Sequence, residues 1–312
     1  MQINFNYLVM EILVSSETSK LRSVIIGIAD SLGEKPVLSD LYDPKSIENL
    51  KKGTYPTEKD MIQELQNFVI ILEKYDIKVY RPELIKDYNQ IFSRDIGFVI
   101  DNFFFKSNIL PKRANEFNGI TSILSKFSYQ FVSMPENCHI EGGDVLYHTN
   151  NIFIGFYDKY DYKNLFTART NKSAVEFLID FFPEKKIKAF HLNKSLTDPK
   201  KNILHLDCCL QIVGKNKAII HPEAFTFKKD YKWLVDFFGS KNIFEINAEE
   251  MYDMTSNVLS INDHTVVSQP KFNRLNRWLR SHNIFVEEVD LTEVSKQEGL
   301  FRCTSLPLVR YD

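Results

Sequence analysis

Cys138-His139-Ile140-Glu141-Gly142-Gly143-Asp144-Val145-Leu146 sets two adjacent glycines between two carboxylates, in a chain of 312 residues that has only 11 glycines. Paired glycines between apolar runs mean that the backbone takes angles closed to other residues or comes very close to something. A strand reading, Tyr129 to Met134, runs into the stretch and another, Val145 to Tyr147, runs out of it. A carboxylate at a strand end beside such a bend is a place to hold a cation. Taken alone, the stretch is more simply a tight loop with solvated acids, since Gly and Asp mark turns.

The pattern around it repeats. Apolar alternation broken by turn residues predicts hairpins over 95–106 (turning at Asp101-Asn102), 145–156 (at Asn150-Asn151), 204–221 (at Gly214-Lys215-Asn216) and 256–268 (at Asn262-Asp263). Helical apolar spacing follows over 113–127, 170–182, 227–238 and 272–282, and then single strands over 129–134, 187–192, 243–246 and 285–289. Before these, 21–29 reads as a buried strand and 30–56 as polar and irregular. Thr57 with Asp60 starts a helix whose apolar face runs from Met61 to Lys74, and 77–82 is a strand. Hairpin, helix and strand thus recur about every 50 residues, the sign of a propeller or solenoid. Five units result if the last strand, 300–309, joins a sheet with 21–29 and so closes a ring of α/β units. No Pro/Gly-rich linker interrupts residues 21–312, which therefore read as one domain behind an arm or added strand over residues 1–20.

The totals exclude several classes. Hydrophobic residues make up 44%, enough for a full core, with 25 Phe and 14 Tyr. A balance of 39 basic and 41 acidic residues gives no reason to expect nucleic acid as a partner. Residues 7–14 are apolar but lack a basic start and contain Glu11, so they do not make a secretory signal. No apolar run is long enough to span a bilayer. The four cysteines, Cys138, Cys208, Cys209 and Cys303, form no C-x-x-C pair and fit a reduced, cytoplasmic setting.

Polar residues collect where one unit ends and the next begins: Ser93-Arg94-Asp95, His139-Ile140-Glu141, His205-Leu206-Asp207, Ser256-Asn257 and Arg302-Cys303. In a closed ring, equivalent positions converge at one end of the axis, so these five spots would share one pit. Each residue has a plain structural reading: Cys303 as a small core residue, His205 as a satisfied strand histidine, Asp95 as the partner of Arg94. Their recurrence at the junctions is what sets those readings aside. One imidazole, one thiol and three acids are not a usual zinc set, so no metal is expected. A thiol with an imidazole suggests a nucleophile and its acid/base partner, and the carboxylates suggest a cationic substrate.

At these residues the chain resembles a known group. Ser93-Arg94-Asp95-Ile96-Gly97-Phe98-Val99, Ile140-Glu141-Gly142-Gly143-Asp144-Val145, His205-Leu206-Asp207 and Cys303-Thr304 look like the motifs, in order, of the arginine deiminase, dimethylarginine dimethylaminohydrolase and amidinotransferase superfamily. The resemblance covers about residues 90–305. It implies a five-bladed pseudo-symmetric α/β propeller of ββαβ units (a pentein) and cofactor-free chemistry on a guanidino substrate through a covalent cysteine adduct. By the same resemblance Cys303 attacks the guanidinium carbon and His205 protonates the leaving amine. Glu141, with Asp95 or Asp207, grips the guanidinium, and Arg169 or Arg113 contacts a substrate carboxylate. Two departures stand out. Arg302 occupies a place often held by His, and Cys208 follows Asp207 where deiminases commonly have Thr. Glu141-Gly142-Gly143 favours a hydrolase over an amidinotransferase, the next reading. An inactive protein that binds arginine-like ligands is a third.

Overall fold

The four hairpins form, and in each the second arm pairs with a later parallel strand. The computed structural model describes residues 10–312. Gly97–Ile100 and Phe103–Lys106 pair antiparallel, and Gln130–Ser133 then lies parallel to the second. Val145–His148, Asn151–Phe156 and Lys186–His191 repeat this order. So do Leu210–Val213, Lys217–Ile220 and Ile243–Glu245, and finally Leu259–Asn262, Thr265–Ser268 and Phe285–Glu288. The two ends of the chain supply a fifth sheet of the same kind. Ser305–Arg310 pairs antiparallel with Leu21–Ile26, which pairs parallel with Lys78–Tyr80. The expected joining of the last strand to the first is therefore present, in a mixed α/β fold.

Local chemistry explains most of the elements. Thr57 accepts a hydrogen bond from the Asp60 N–H and caps Glu58–Lys74, whose buried face is Met61, Leu65, Phe68, Val69 and Leu72. Phe68 meets Phe301 edge to face at 5.2 Å, so this helix supports the loop that carries Cys303. Asp101, at φ 51, and Gly214, at φ 60, take the left-handed turns of their hairpins.

Five expectations need correction. The helix over 113–127 is a 3-10 segment, Pro111–Ile120, followed by the single turn Thr121–Leu124. The cause lies in Asn115, Asn118 and Gly119, which are poor helix residues, and in the approach of Gly119 to Gln90: a Cβ at Gly119 would lie 2.5 Å from the Gln90 amide. Residues 30–56 are not wholly irregular, because Asp43 accepts from Ser46 N–H and Pro44 opens the helix Pro44–Lys51. The second hairpin turns at Thr149-Asn150, one residue early, with Thr149 at φ 54, and the fourth turns at Asp263-His264, one residue late. The run 300–309 forms a strand only from Ser305.

Of the arm over 1–20, residues 1–9 lie outside the described residues. Met10–Glu11 pairs with Phe127–Ser128, and Leu13–Val14 pairs with Ser305–Arg310. No helix among the described residues is long and apolar enough to cross a membrane.

Candidate active site

Each of the five junctions precedes the first strand of its hairpin, and neighbouring junctions touch in order. Gly142 packs on the first junction, where a Cβ would lie 2.2 Å from the Arg94 carbonyl oxygen. Leu206 N–H donates to Asp144 Oδ1 at 2.8 Å. Ser256 Oγ donates to the Asp207 carbonyl at 3.0 Å. The N–H groups of Arg302 and Cys303 donate to Asn257 Oδ1 at 3.0 and 3.1 Å. Arg94 N–H donates to the Cys303 carbonyl at 3.0 Å, which returns the sequence of contacts to its start. The glycine pair serves close approach, not left-handed backbone: neither residue has a positive φ, and a Cβ at Gly143 would sit 2.8 Å from the His205 ring.

Five of the seven residues singled out above share one cluster of hydrogen bonds and ion pairs on one side. His205 Nε2 lies 2.7 Å from Glu141 Oε2, and Arg169 Nη1 donates to both Glu141 oxygens at 3.1 and 2.9 Å. Arg113 Nη1 donates to Asp95 Oδ2 at 2.7 Å, while its Nε and Nη2 clasp Glu116. Asp95 Oδ1 and His205 Nδ1 face each other at 3.7 Å, both buried and without a hydrogen-bond partner. Burial alone would push the His205 imidazole down, but Asp95, Glu141 and Asp144 outweigh it and hold it up at about 9. Burial likewise works against an ionised Glu141, but Arg169 and His205 hold that carboxylate well below its usual range.

The thiol occupies the other side. Cys303 Sγ lies 3.9 and 3.8 Å from the Asp207 oxygens and 3.1 Å from Asn257 Nδ2. Burial first, then Asp207 and Asp95, push the thiol well above its ordinary value. Asp207 is itself held by Arg302, which is wholly buried: Nη1 donates to Asp207 Oδ2 at 2.9 Å and Nη2 to Glu17 Oε1 at 2.9 Å. The adjacent cysteines Cys208 and Cys209 are buried in the core.

Between the two sides opens a cavity of about 530 Å³ whose wall includes Asp95, Arg113, Arg169, His205 and Cys303. Glu141 and Asp207 stand behind that wall. Segment 32–58, with Tyr42 and Asp43, forms its outer side, and the Arg169 guanidinium lies 4.9 Å from the Tyr42 ring. The ligating atoms of Asp95, Glu141 and His205 lie within 4.8 Å of one another, close enough for a metal ion. Both carboxylates there already accept N–H groups from guanidinium groups of this chain, Asp95 from Arg113 and Glu141 from Arg169.

Sequence reasoning missed four contributors. Asn257 stands at a junction without a role legible from its type, and Glu116 is signalled only by its i,i+3 spacing from Arg113. Tyr42 lies in a stretch that reads as irregular, and Glu17 in the arm. For Glu17 no local signal exists, since its partner is 285 residues away.

Comparison with known proteins agrees with the geometry. The sequence profile of the family described as N,N dimethylarginine dimethylhydrolase, eukaryotic, matches residues 45–310. An uncharacterized protein of Bacillus subtilis (strain 168), YkgA, is 30% identical over 95% of this chain and 94% of its own. An arginine deiminase of Listeria monocytogenes serotype 4a (strain HCC23) is 26% identical over 71% of this chain, which spans only 61% of that enzyme's length. Two solved structures share the α/β fold. The N-terminal domain of ArgZ, a cyanobacterial arginine dihydrolase, has a TM-score of 0.77 at 14% identity, covering 93% of this chain and 98% of that one. SxtG, an amidinotransferase of Microseira wollei, has a TM-score of 0.73 at 16% identity, covering 96% and 98%. With the profile matched over residues 45–310, the chain belongs to the N,N-dimethylarginine dimethylhydrolase family, within the superfamily of enzymes that modify guanidino groups.

Proposed function

We propose that the protein hydrolyses the guanidino group of arginine or an N-substituted arginine through a covalent adduct on Cys303. The observation that carries this reading is the pair of orphaned buried atoms, Asp95 Oδ1 and His205 Nδ1, on the wall that also bears Cys303. They are an acceptor and a proton carrier without a hydrogen-bond partner in the protein, beside the one thiol on the cavity wall. The volume, about 530 Å³, is in the range of small-molecule sites.

In this reading Asp95 accepts the substrate's N–H groups, displacing Arg113. Arg113 or Arg169, once released, meets a substrate carboxylate. The substrate's positive charge offsets the burial and the carboxylates that keep Cys303 protonated, so binding itself favours the thiolate. Sγ attacks the guanidinium carbon. As the C–N bond breaks, His205 Nδ1 gives its proton to the leaving nitrogen, with Nε2 held by Glu141. Water then adds to the adduct, His205 takes the water's proton, and the C–S bond breaks to release a ureido product. No cofactor enters these steps.

We infer further that the five sheets are blades of a closed ring, the five-bladed propeller of the superfamily, and that 21–312 is one catalytic domain. The support is the cyclic order of the junction contacts and the sheet made from both chain ends. Four free, buried cysteines suit a reducing, cytoplasmic setting.

Trapping tests the reaction. On His205→Ala incubated with arginine, we expect an adduct that keeps the whole amino-acid skeleton, read by intact-protein mass spectrometry. A bare amidino group on Cys303 would assign an amidinotransferase instead. Measurable binding of guanidines with no adduct from any of them would leave a ligand-binding protein.

A further inference from the structure

Asn257 is wholly buried, and every polar atom of its side chain is engaged. Oδ1 accepts the backbone N–H groups of Arg302 and Cys303 at 3.0 and 3.1 Å. Nδ2 faces Cys303 Sγ at 3.1 Å and the Asp207 carbonyl at 3.5 Å. The orientation of the amide follows from these partners: flipped, its NH₂ would face two N–H donors and its oxygen would face a carbonyl. The N–H directed at the sulfur is therefore fixed by the backbone of the loop that carries the sulfur.

We propose that Asn257 is the residue that makes Cys303 competent as a nucleophile, its Nδ2–H donating to the thiolate while its Oδ1 holds the Cys303 loop in register. This rests on the reading of Cys303 as the nucleophile.

The charge environment explains why such a donor is needed. The titratable and charged groups around Sγ are Asp207 at 3.8 Å, Asp95 and His205 across the cavity, Cys208 on the other flank of Asp207, and the neighbouring Arg302. Arg302 spends its N–H groups on Asp207, Glu17 and main-chain oxygens, none on the sulfur. Burial and two carboxylates oppose the thiolate. An amide N–H stabilises the charged form without bringing a charge that would repel a cationic substrate. On ionisation the Sγ proton leaves to solvent through the cavity, and the amide keeps both of its own.

Cys208 is an internal control. Its sulfur lies 3.6 Å from the same carboxylate and, like Cys303 with Leu300, has a main-chain N–H turned towards it, from His205, but it has no side-chain amide donor. The test is the pH dependence of iodoacetamide alkylation, resolved by peptide mapping for each cysteine. In the wild-type protein the midpoint for Cys303 should lie at least one pH unit below that for Cys208. Asn257→Asp keeps an acceptor for the two backbone N–H groups and removes the donor. It should raise the Cys303 midpoint by at least one unit and slow alkylation at pH 8 at least tenfold. The wild-type melting transition checks its fold, and Asn257→Ala replaces it if that transition is lost. Coincident midpoints for Cys303 and Cys208, or an unchanged Cys303 profile in a folded variant, overturn the proposal. Because no substrate is present, the outcomes separate. A shifted profile in a protein that modifies no guanidine would sink the functional reading alone. Adduct formation on Cys303 with an unshifted profile would sink this one alone.

Discussion

Asp95 and Asp207 each accept one guanidinium N–H, at 2.7 Å from Arg113 and 2.9 Å from Arg302, yet the two pairs are built for different ends. Arg113 reaches in from the 3-10 segment Pro111–Ile120 and lines the cavity. Arg302 has no exposure, and its other N–H groups are fixed by Glu17 and the Val145 carbonyl. A guanidinium at a cavity wall can be exchanged for another one that enters through the cavity. A guanidinium clamped from behind cannot. The first carboxylate is thus suited to receive a substrate, and the second to shape the thiol beside it.

Removing the thiol is the largest way to break this contrast. Cys303→Ser should cut turnover by about 10⁴-fold or more while leaving the melting temperature within a few degrees of wild type, since covalent nucleophiles usually contribute several decades. A variant that retains more than about a tenth of the wild-type rate would remove Cys303 from the chemistry, and the Asp207 side would then be structural only.

The clamp comes next. Glu17→Gln leaves Arg302 buried with Asp207 as its one carboxylate. Breaking one partner of a buried pair costs about 3–5 kcal/mol, which denaturant unfolding would register as a lower midpoint at unchanged slope. A loss under about 1 kcal/mol would mean that the arm does not pin Arg302, and the two arginines would be alike after all.

The same contrast marks how far the sequence could be read. Hairpins and helices came through because their signals are local: alternation, Thr57 three residues before Asp60, Gly214 in a turn. The junction residues came through because the repeat multiplies weak signals. Asp95, Glu141 and His205 lie within 4.8 Å of one another, and Cys303 lies 3.8 Å from Asp207. What stayed hidden was set by contacts across long separations. Arg302 looked like a departure from a pattern until Glu17 proved to be its partner. Asn257 was in view, but its role depends on which backbone groups hold its amide. The glycines at 142 and 143 are legible as a pair, and of the two reasons such a pair can have, close approach is the one present.

On the exchangeable side, Glu141→Gln keeps shape and removes charge. His205 Nε2 and Arg169 both lose a charge-assisted bond, an effect on the order of 2–5 kcal/mol when the partner stays buried. The rate should fall at least tenfold, and the alkaline limb of the pH profile should move to lower pH because His205 loses a carboxylate. Weaker substrate binding with an unmoved limb would instead make Glu141 a direct ligand of the substrate, as the resemblance implies.

The smallest effect tests the charge on His205. Its folded value, about 9, lies above the ordinary 6.5 because Asp95, Glu141 and Asp144 overcome the effect of burial. A raised value means that the imidazolium contributes stability in full below about 6.5 and loses it as pH rises through about 9. Glu64 and Glu116, both raised to about 7 by burial, and Lys45, lowered to about 8 by burial, titrate in the same window. They are present in wild type and variant alike, so the comparison to make is the difference in melting temperature between wild type and His205→Gln. That difference should be largest near pH 6 and shrink by a few degrees towards pH 10. A difference that is flat with pH would show that His205 is neutral at rest, and the proton for the leaving nitrogen would then have to come from elsewhere in the cavity.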